Sequence, residues 1–413
     1  MHGDATVHDR IEAALAALGP GALDAGRIGA HVAPLFSRAL ARNAQRVYLA
    51  NHSLGRPLDA MEDDVREGLA AWYTDFGGAW DAWGGELAAY RARLSRLLGA
   101  PQADGVVPRT SAGQGLRAVL NSFDAPPTVV ATRGEFDSLD VVLREYAHRG
   151  RARLALVDAN ADGEFDADAI RRAIVPGTEL VVLSHVLFQS GQVLPDLAAL
   201  VTHAHACGAL VLLDVYHSLG VLPVDVARFD VDFAVGGAYK YLRGGPGACF
   251  LYVAPRVLAS RRRTLDIGWF AKEAPFDYAR PDPPRLAGGG DAWMESTPAV
   301  LAWYQARSGQ RFVLGIGVER LREHSLALQS RLVALLGERG IHALGGTPDR
   351  GAFTVVRRDD AVALARRMSA AGVDVDARGS FLRLCPDVLT TDDELVRAAE
   401  VLGQALTPGP SPT

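Results

Sequence analysis

An α/β architecture, with a mostly parallel sheet in a large domain followed by a smaller αβ domain, is what this sequence predicts, on three observations. From Thr128 to Leu213, short apolar runs of strand length alternate with stretches of helical spacing, the pattern that builds parallel sheets from βαβ units. The run Ala209 to Leu213 has the length and aliphatic content of a buried strand and ends in Asp214, at the carboxyl end where open α/β sheets bind ligands. At 413 residues the chain exceeds what a single hydrophobic core usually organises. The expected division is a helical segment, 1–45, packing with the small domain, a large domain, 46–295, and a small C-terminal αβ domain, 296–413.

Each element has its own signal. Ile11 to Leu18 and Ile28 to Arg42 have helical apolar spacing, separated by Gly19, Pro20 and Gly21. Val47 to Leu49 reads as a strand entering a turn at Gly55, and helical stretches follow from Pro57 to Tyr73 and through Trp80, Trp83 and Tyr90 to Gly99. After Val106 and Val107, the turn Thr110, Ser111 opens the helical Leu116 to Leu120. Strands are expected at Thr128 to Ala131, Leu154 to Val157 and Leu180 to Leu183. Helices are expected at Leu139 to Tyr146, Ala167 to Ile174 and Leu197 to Cys207. A basic helix, Arg256 to Arg263, precedes a Pro- and Gly-rich loop, Phe276 to Asp291, too long for a simple turn. Helices are then expected from Ser296 to Ser308 and Val318 to Leu336. The small domain follows, with strands near Phe353 to Val356, Asp374 to Ala377 and Phe381 to Leu384, helices at Ala361 to Ala371 and Asp392 to Ala405, and a frayed tail, Pro408 to Thr413.

Composition excludes several classes of function. A net charge of −5 and a pI near 6.1 give no electrostatic reason to expect nucleic acid or an anionic membrane as partner, and the local run Arg261, Arg262, Arg263 reads as a solvated face. Cys207, Cys249 and Cys385 are far apart with no CxxC, against structural zinc or a disulfide framework, so no metal is expected. The same cysteine usage fits a reducing cytosol, so a cytoplasmic protein is expected. The N-terminus lacks the apolar stretch of a secretion signal and no window reaches the length of a membrane span, so a soluble one is expected.

The chemistry concentrates between Val211 and Val253. Asp214 ends one strand, His217 follows, and a second apolar run, Phe233 to Val235, leads through Gly236 and Gly237 to Tyr239 and Lys240, with Gly244, Gly245 and Gly247 beyond. An acid on one strand and a lysine after the next is what pyridoxal phosphate (PLP) chemistry requires. Lys240 holds the aldehyde as a Schiff base, and Asp214 keeps the pyridine nitrogen protonated so that the ring acts as an electron sink. Taken singly, a strand-end Asp is equally an ordinary cap, and a Lys near glycines an ordinary loop residue. Thr110 and Ser111, in a turn opening a helix, suit a phosphate or serve simply as an N-cap.

The motifs LDVYHSLGVLPVD and AYKYLRGGPGA, with the later GWF, resemble the class V branch of fold-type I PLP enzymes, and within it kynureninase most. Tyr239 stands before the lysine, as in kynureninases, where cysteine desulfurases more often have His. The resemblance runs from about Tyr48 to Glu394. It implies a seven-stranded type of large-domain sheet and a homodimer whose sites share residues across the interface. It further implies that Thr110 and Ser111 hold the phosphate, Phe136 stacks on the cofactor, and Ser184 and His217 lie beside it. Tyr239 bonds the phosphate and donates a proton, and Trp269 reaches the neighbouring subunit's phosphate. FLRLCPDVLTTDDEL resembles the fold-type I motif whose arginine, here Arg383, forks onto the substrate α-carboxylate.

The implied reaction is hydrolytic Cβ–Cγ cleavage of an amino acid, releasing alanine and an aromatic acid, with Lys240, Tyr239 and Asp214 catalytic. The ring pocket departs from the family: His52 replaces an Asn in the YLxGNSLG-like opening, Thr297 stands where an Asn meets the substrate's aromatic amine, and Ala271 and Lys272 follow Trp269 and Phe270. His52 and Thr297 are therefore the expected substrate-binding departures, Thr297 also lying near the cofactor. Another class V aminotransferase, lyase, epimerase or desulfurase-like enzyme, and a non-catalytic PLP-fold binding protein, stay open as rivals. Cys385, beside Arg383, is a poor candidate nucleophile because a strand does not promise an exposed, electropositive setting.

Overall fold

The computed structural model describes residues 7–260 and 262–406; Arg261 of the basic run and the tail expected to fray lie outside the described residues. Seven strands form the main sheet. In chain order they are β2 (Val106–Arg109), β3 (Thr128–Thr132), β4 (Arg153–Val157), β5 (Leu180–Ser184), β6 (Leu210–Asp214), β7 (Phe233–Gly237) and β8 (Cys249–Val253), with β1 (Val47–Tyr48) lying outside the sheet. Their spatial order is β2-β8-β7-β6-β5-β3-β4. All pairs are parallel except those of β8, which runs antiparallel to both β2 and β7. Strands β5, β7 and β8 are buried at every position, which is why they read as continuous apolar runs with no alternation.

The helices follow the sequence with instructive exceptions, among them the helix expected from Ser296 to Ser308, which runs Val300–Ile316 and leaves Thr297 outside it. Ala79–Leu98 ends where Gly99 takes a left-handed φ of 61°, the ordinary glycine stop. Ile28 to Arg42 is not one helix: Pro34 cannot donate a backbone hydrogen bond, and the segment breaks into a wide turn at Ile28–Val32, a tight one at Ala33–Phe36 and a short α-helix at Ser37–Arg42. The basic helix is likewise only Pro255–Ala259; Arg262 folds its guanidinium over the Phe123 ring, 4.5 Å from its centroid, and is no freely solvated charge.

Two main cores, one large and one small, are distinct, and a third, lesser apolar cluster packs Val186 and Tyr241 against Phe353 and Cys385. The large one joins the main sheet to Ala79–Leu98, Ala112–Leu120 and Val300–Ile316. The small one lies between Val318–Gly337, Ala361–Ala370, Asp392–Leu406 and a three-stranded antiparallel sheet of β9 (Thr354–Arg357), β11 (Asp376–Arg378) and β12 (Phe381–Leu384). Strand β10 (Val373–Asp374) instead pairs in parallel with β1. The cores do not divide where the sequence suggests. Ile11, Leu18, Ile28, Val32 and Phe36 of the first 45 residues bury into the large core, not the small one, while Val47 and Leu49 belong to the small one. The helix Val300–Ile316 belongs to the large unit because Arg307, almost buried, pairs with Glu67 and Glu86 at 2.6 Å from two helices of that unit. No helix among the described residues is long and apolar enough to cross a membrane.

Candidate active site

The carboxyl ends of β2, β3, β5, β6 and β7 meet along one edge. Across it, Arg109 faces Cys249, Cys249 faces Gly237, and Asp214 faces both Val235 and Ser184. With neighbouring strands roughly 4.8 Å apart, this register gathers the turns that carry Thr110, Phe136, Ser184, Asp214 and Lys240.

The lysine loop is built from close backbone contacts. After β7 the chain turns back so that Ala238 N–H donates to Ala248 O at 2.9 Å and Gly244 N–H to Ala238 O at 2.7 Å. Gly55 N–H donates to Tyr239 O at 2.8 Å, and a Cβ at residue 55 would overlap the Lys240 carbonyl oxygen. The SLG turn after β1 thus exists to let this backbone approach.

Lys240 is 4 % exposed, one of two lysines in the chain, the other being Lys272. Its Nζ lies 2.5 Å from His217 Nε2 and over the rings of Tyr216, Phe136 and Tyr239, at 4.9, 5.3 and 5.7 Å from their centroids. Burial lowers its pKa, opposed by the charge of Asp214. Asp214, also buried, accepts from Tyr216 N–H at 2.8 Å; burial raises its pKa, opposed by that bond and by Lys240. His217 is held neutral by burial and by the nearby Lys240 and Arg383 charges. Its Nδ1 has no partner among the described residues.

Ser184 donates to Glu135 at 2.6 Å, and so does Thr132. Burial pushes this Glu135 carboxyl up to about 7. Phe136 packs edge-on to Phe188, ring centroids 5.2 Å apart. Thr110 and Ser111 sit exposed at the start of Ala112–Leu120, where Ser111 Oγ caps Gln114 N–H at 3.1 Å and Thr110 meets the Gln114 amide oxygen.

On the small-domain side, His52, His217 and Arg383 all pack on Phe353, at 4.8, 5.8 and 5.5 Å from its ring centroid. Arg383 is 2 % exposed and is not a free fork: Nε and Nη2 donate to Asp376 at 2.8 and 2.6 Å, and Nη1 donates to Phe188 O. His52, completely buried, is bonded to Asp376 at 2.7 Å, and burial lowers its pKa to about 4. Trp269 and Thr297 bond each other at 3.1 Å, and Thr297 shares a cleft of about 110 Å³ with Thr110 and Gln114. Among the described residues neither makes a hydrogen bond, ion pair or ring contact with Lys240, His217 or Asp214. Cys385 is buried against Ala352 O, and burial raises its pKa, so it is no reactive thiol.

Sequence reasoning assigned no role to Glu135, Tyr216, Phe353 or Asp376. The one available signal was the register of a hairpin: Asp376 and Arg383 stand directly opposite on β11 and β12, a cross-strand pair of opposite charge.

The donor set fits PLP: a buried amine of lowered pKa, an aromatic face at Phe136, a buried carboxylate for a ring nitrogen, an unpartnered His217 Nδ1 and a helix N-terminus for a phosphate. A sequence model of the family described as aminotransferase class V matches residues 83–377. Among curated relatives, the chain is 30% identical to a kynureninase of Geobacillus thermodenitrificans, covering 74% of each, and 30% identical to a kynureninase of Salinispora tropica, covering 77% of this chain and 76% of that one. It is 28% identical to the uncharacterized aminotransferase YcbU of Bacillus subtilis, over 75% and 81%. Among solved structures it matches C-DES, a variant with glycine covalently linked to its PLP cofactor, at a TM-score of 0.77 and 18% identity over 90% and 98% of the two chains. The cysteine desulfurase CsdA of Escherichia coli matches at 0.74 and 18% over the same shares.

Proposed function

Since the chain belongs to the aminotransferase class V family of PLP-dependent enzymes, we propose that it acts on an amino acid by kynureninase-like hydrolytic Cβ–Cγ cleavage, releasing alanine and an aromatic acid. The supporting observation is Lys240 itself: a buried amine of lowered pKa, bonded to His217, surrounded by aromatic rings and placed one strand from a buried carboxylate. Bound at Lys240, PLP supplies an electron sink for the bonds at the substrate's α-carbon.

The residues of the chain do the rest. Because burial disfavours its charge, Lys240 gives up its proton far more readily than a solvent-exposed lysine, as an amine that attacks a carbonyl and then serves as general base must. Asp214 offers an anion to a cationic ring nitrogen where water cannot screen it. Tyr239, half-buried beside the lysine, passes a proton, and Arg383, buried on the small-domain side, receives the α-carboxylate. Thr110 and Ser111 take the phosphate at the helix N-terminus. The enzyme works as a homodimer, which brings Trp269 to the partner's site; in support, Trp269 lies in an exposed aromatic cluster with Phe276 and Tyr278. All three cysteines are unpaired, which suits the cytoplasm.

A second reading, a class V aminotransferase acting on another amino acid, has the YcbU relative and the altered positions His52 and Thr297 in its favour. A desulfurase-like reading fares worse because Cys385 is buried. The test is to offer the PLP-loaded protein kynurenine and a panel of amino acids and identify the products by mass. Alanine and an aromatic acid from kynurenine support the first reading; an oxo acid formed from another amino acid, with kynurenine untouched, replaces it by the second.

A further inference from the structure

We propose that Asp376 is a positioning residue for Arg383: it grips the Nε edge of the guanidinium so that the terminal nitrogens are presented to a substrate α-carboxylate. The proposal rests on the reading of Lys240 as the amino-acid site. A guanidinium has five N–H donors. Asp376 takes the one on Nε and one on Nη2, and Phe188 O takes one on Nη1. Two remain, one on each terminal nitrogen, for a substrate carboxylate to engage.

Asp376 is itself held from four sides. Its Oδ1 accepts from Arg383 Nε and lies 2.7 Å from His52 Nε2; its Oδ2 accepts from Arg383 Nη2 and from Ser53 Oγ. A carboxylate only accepts, so the neutral His52 donates through Nε2. Although burial disfavours its charge, Asp376 is kept ionised far below the usual carboxylate range by His52 and Arg383. The carboxylate is thus saturated and fixed. Two contacts place the guanidinium beside the chemistry: Phe353 bridges Arg383 to His217, the partner of Lys240, and Phe188, whose carbonyl holds Nη1, packs on Phe136 beneath the lysine.

His52 and Ser53 come from the loop after β1, whose Asn51 bonds Cys385 O at 3.1 Å and whose Gly55 bonds Tyr239 O at 2.8 Å. One short loop therefore ties the clamp on the small domain to the backbone of the lysine loop. Thus His52, expected from the sequence to meet the substrate ring, acts on the carboxylate end instead, through Asp376.

The test compares equilibrium binding of L-alanine and of ethylamine, the same molecule without its carboxylate, to the PLP-loaded enzyme, followed by cofactor absorbance. The wild type is expected to prefer alanine by about 10- to 100-fold, the range of one charge-assisted contact. In Asp376→Asn that preference falls toward unity while ethylamine binds as before, and Asp376→Glu retains more of it than Asn does. His52→Phe, which keeps the packing on Phe353 but removes one donor, lowers it by less and serves should the Asn variant not fold. An unchanged preference in both Asp376→Asn and His52→Phe would overturn the proposal. So would a larger one, which would make Asp376 a competitor of the substrate. A wild type that binds neither molecule defeats the reading of Lys240 and this proposal with it; one that binds both equally defeats the assignment of the carboxylate to Arg383 alone.

Discussion

Replacing Glu135 by Gln removes an ionisable group from the floor of the site while keeping its shape. The carboxyl is 3 % exposed, accepts from Thr132 and Ser184 at 2.6 Å each, and lies close enough to Asp214 to feel its charge. Burial moves its pKa from 4.5 up to about 7. A pKa raised on folding means that the folded state holds the proton more tightly. The associated stability is fully present below the unfolded value and is lost as pH rises from 4.5 through about 7. At about 1.4 kcal/mol per pH unit, that window corresponds to about 3 kcal/mol, which Gln, having no proton to lose, does not give up. The assay is denaturant unfolding of wild type and Glu135→Gln at two values, one below 4.5 and one above 7. The wild type should lose about 3 kcal/mol more than the variant between the two. Equal losses would refute the argument that Glu135 is buried as a neutral acid.

Other expectations follow from the same contacts. Gly55→Ala forces a Cβ against the backbone of Lys240, so it should destabilise by about 1–3 kcal/mol, as overpacking does, and slow trapping of PLP; a variant that loads cofactor at the wild-type rate contradicts the close approach. Asp214→Asn should slow exchange of the alanine α-proton into deuterated water by about 100- to 1000-fold, the usual loss for one preorganised charge, and near-normal exchange would leave Asp214 a structural cap. Thr297→Asn should raise kcat/KM for kynurenine relative to smaller amino acids. An unchanged ratio, or a wild type already fast on kynurenine, would show that position 297 does not set the choice.

Much of the sheet was legible because buried parallel strands write themselves as unbroken aliphatic runs, as β5 and β6 do. Strand β8 was harder to see: it follows directly on the glycine turn of the lysine loop, and no local pattern announces that it enters between β2 and β7 in the opposite direction. The division of the cores was not legible either. Val300–Ile316 has the same helical spacing whichever unit it joins, and only its packing in the large core and the pairing of Arg307 with Glu67 and Glu86 show which. At the site, Asp214, His217, Phe136 and Lys240 come together because all follow strand ends on one edge. Asp376 was missed because its partner is fixed by hairpin register, and Arg383 alone, read as a motif residue, looked like a free fork.

Whether Lys240 takes the cofactor can be tested in one experiment, because the chain has one other lysine, Lys272. The purified protein is saturated with PLP, reduced with borohydride, digested and mapped by mass spectrometry. A pyridoxyl group is expected on the peptide containing Lys240, none on that containing Lys272, and no incorporation into a folded Lys240→Ala variant. Modification of Lys272 instead, or undiminished incorporation after Lys240→Ala, would contradict this expectation.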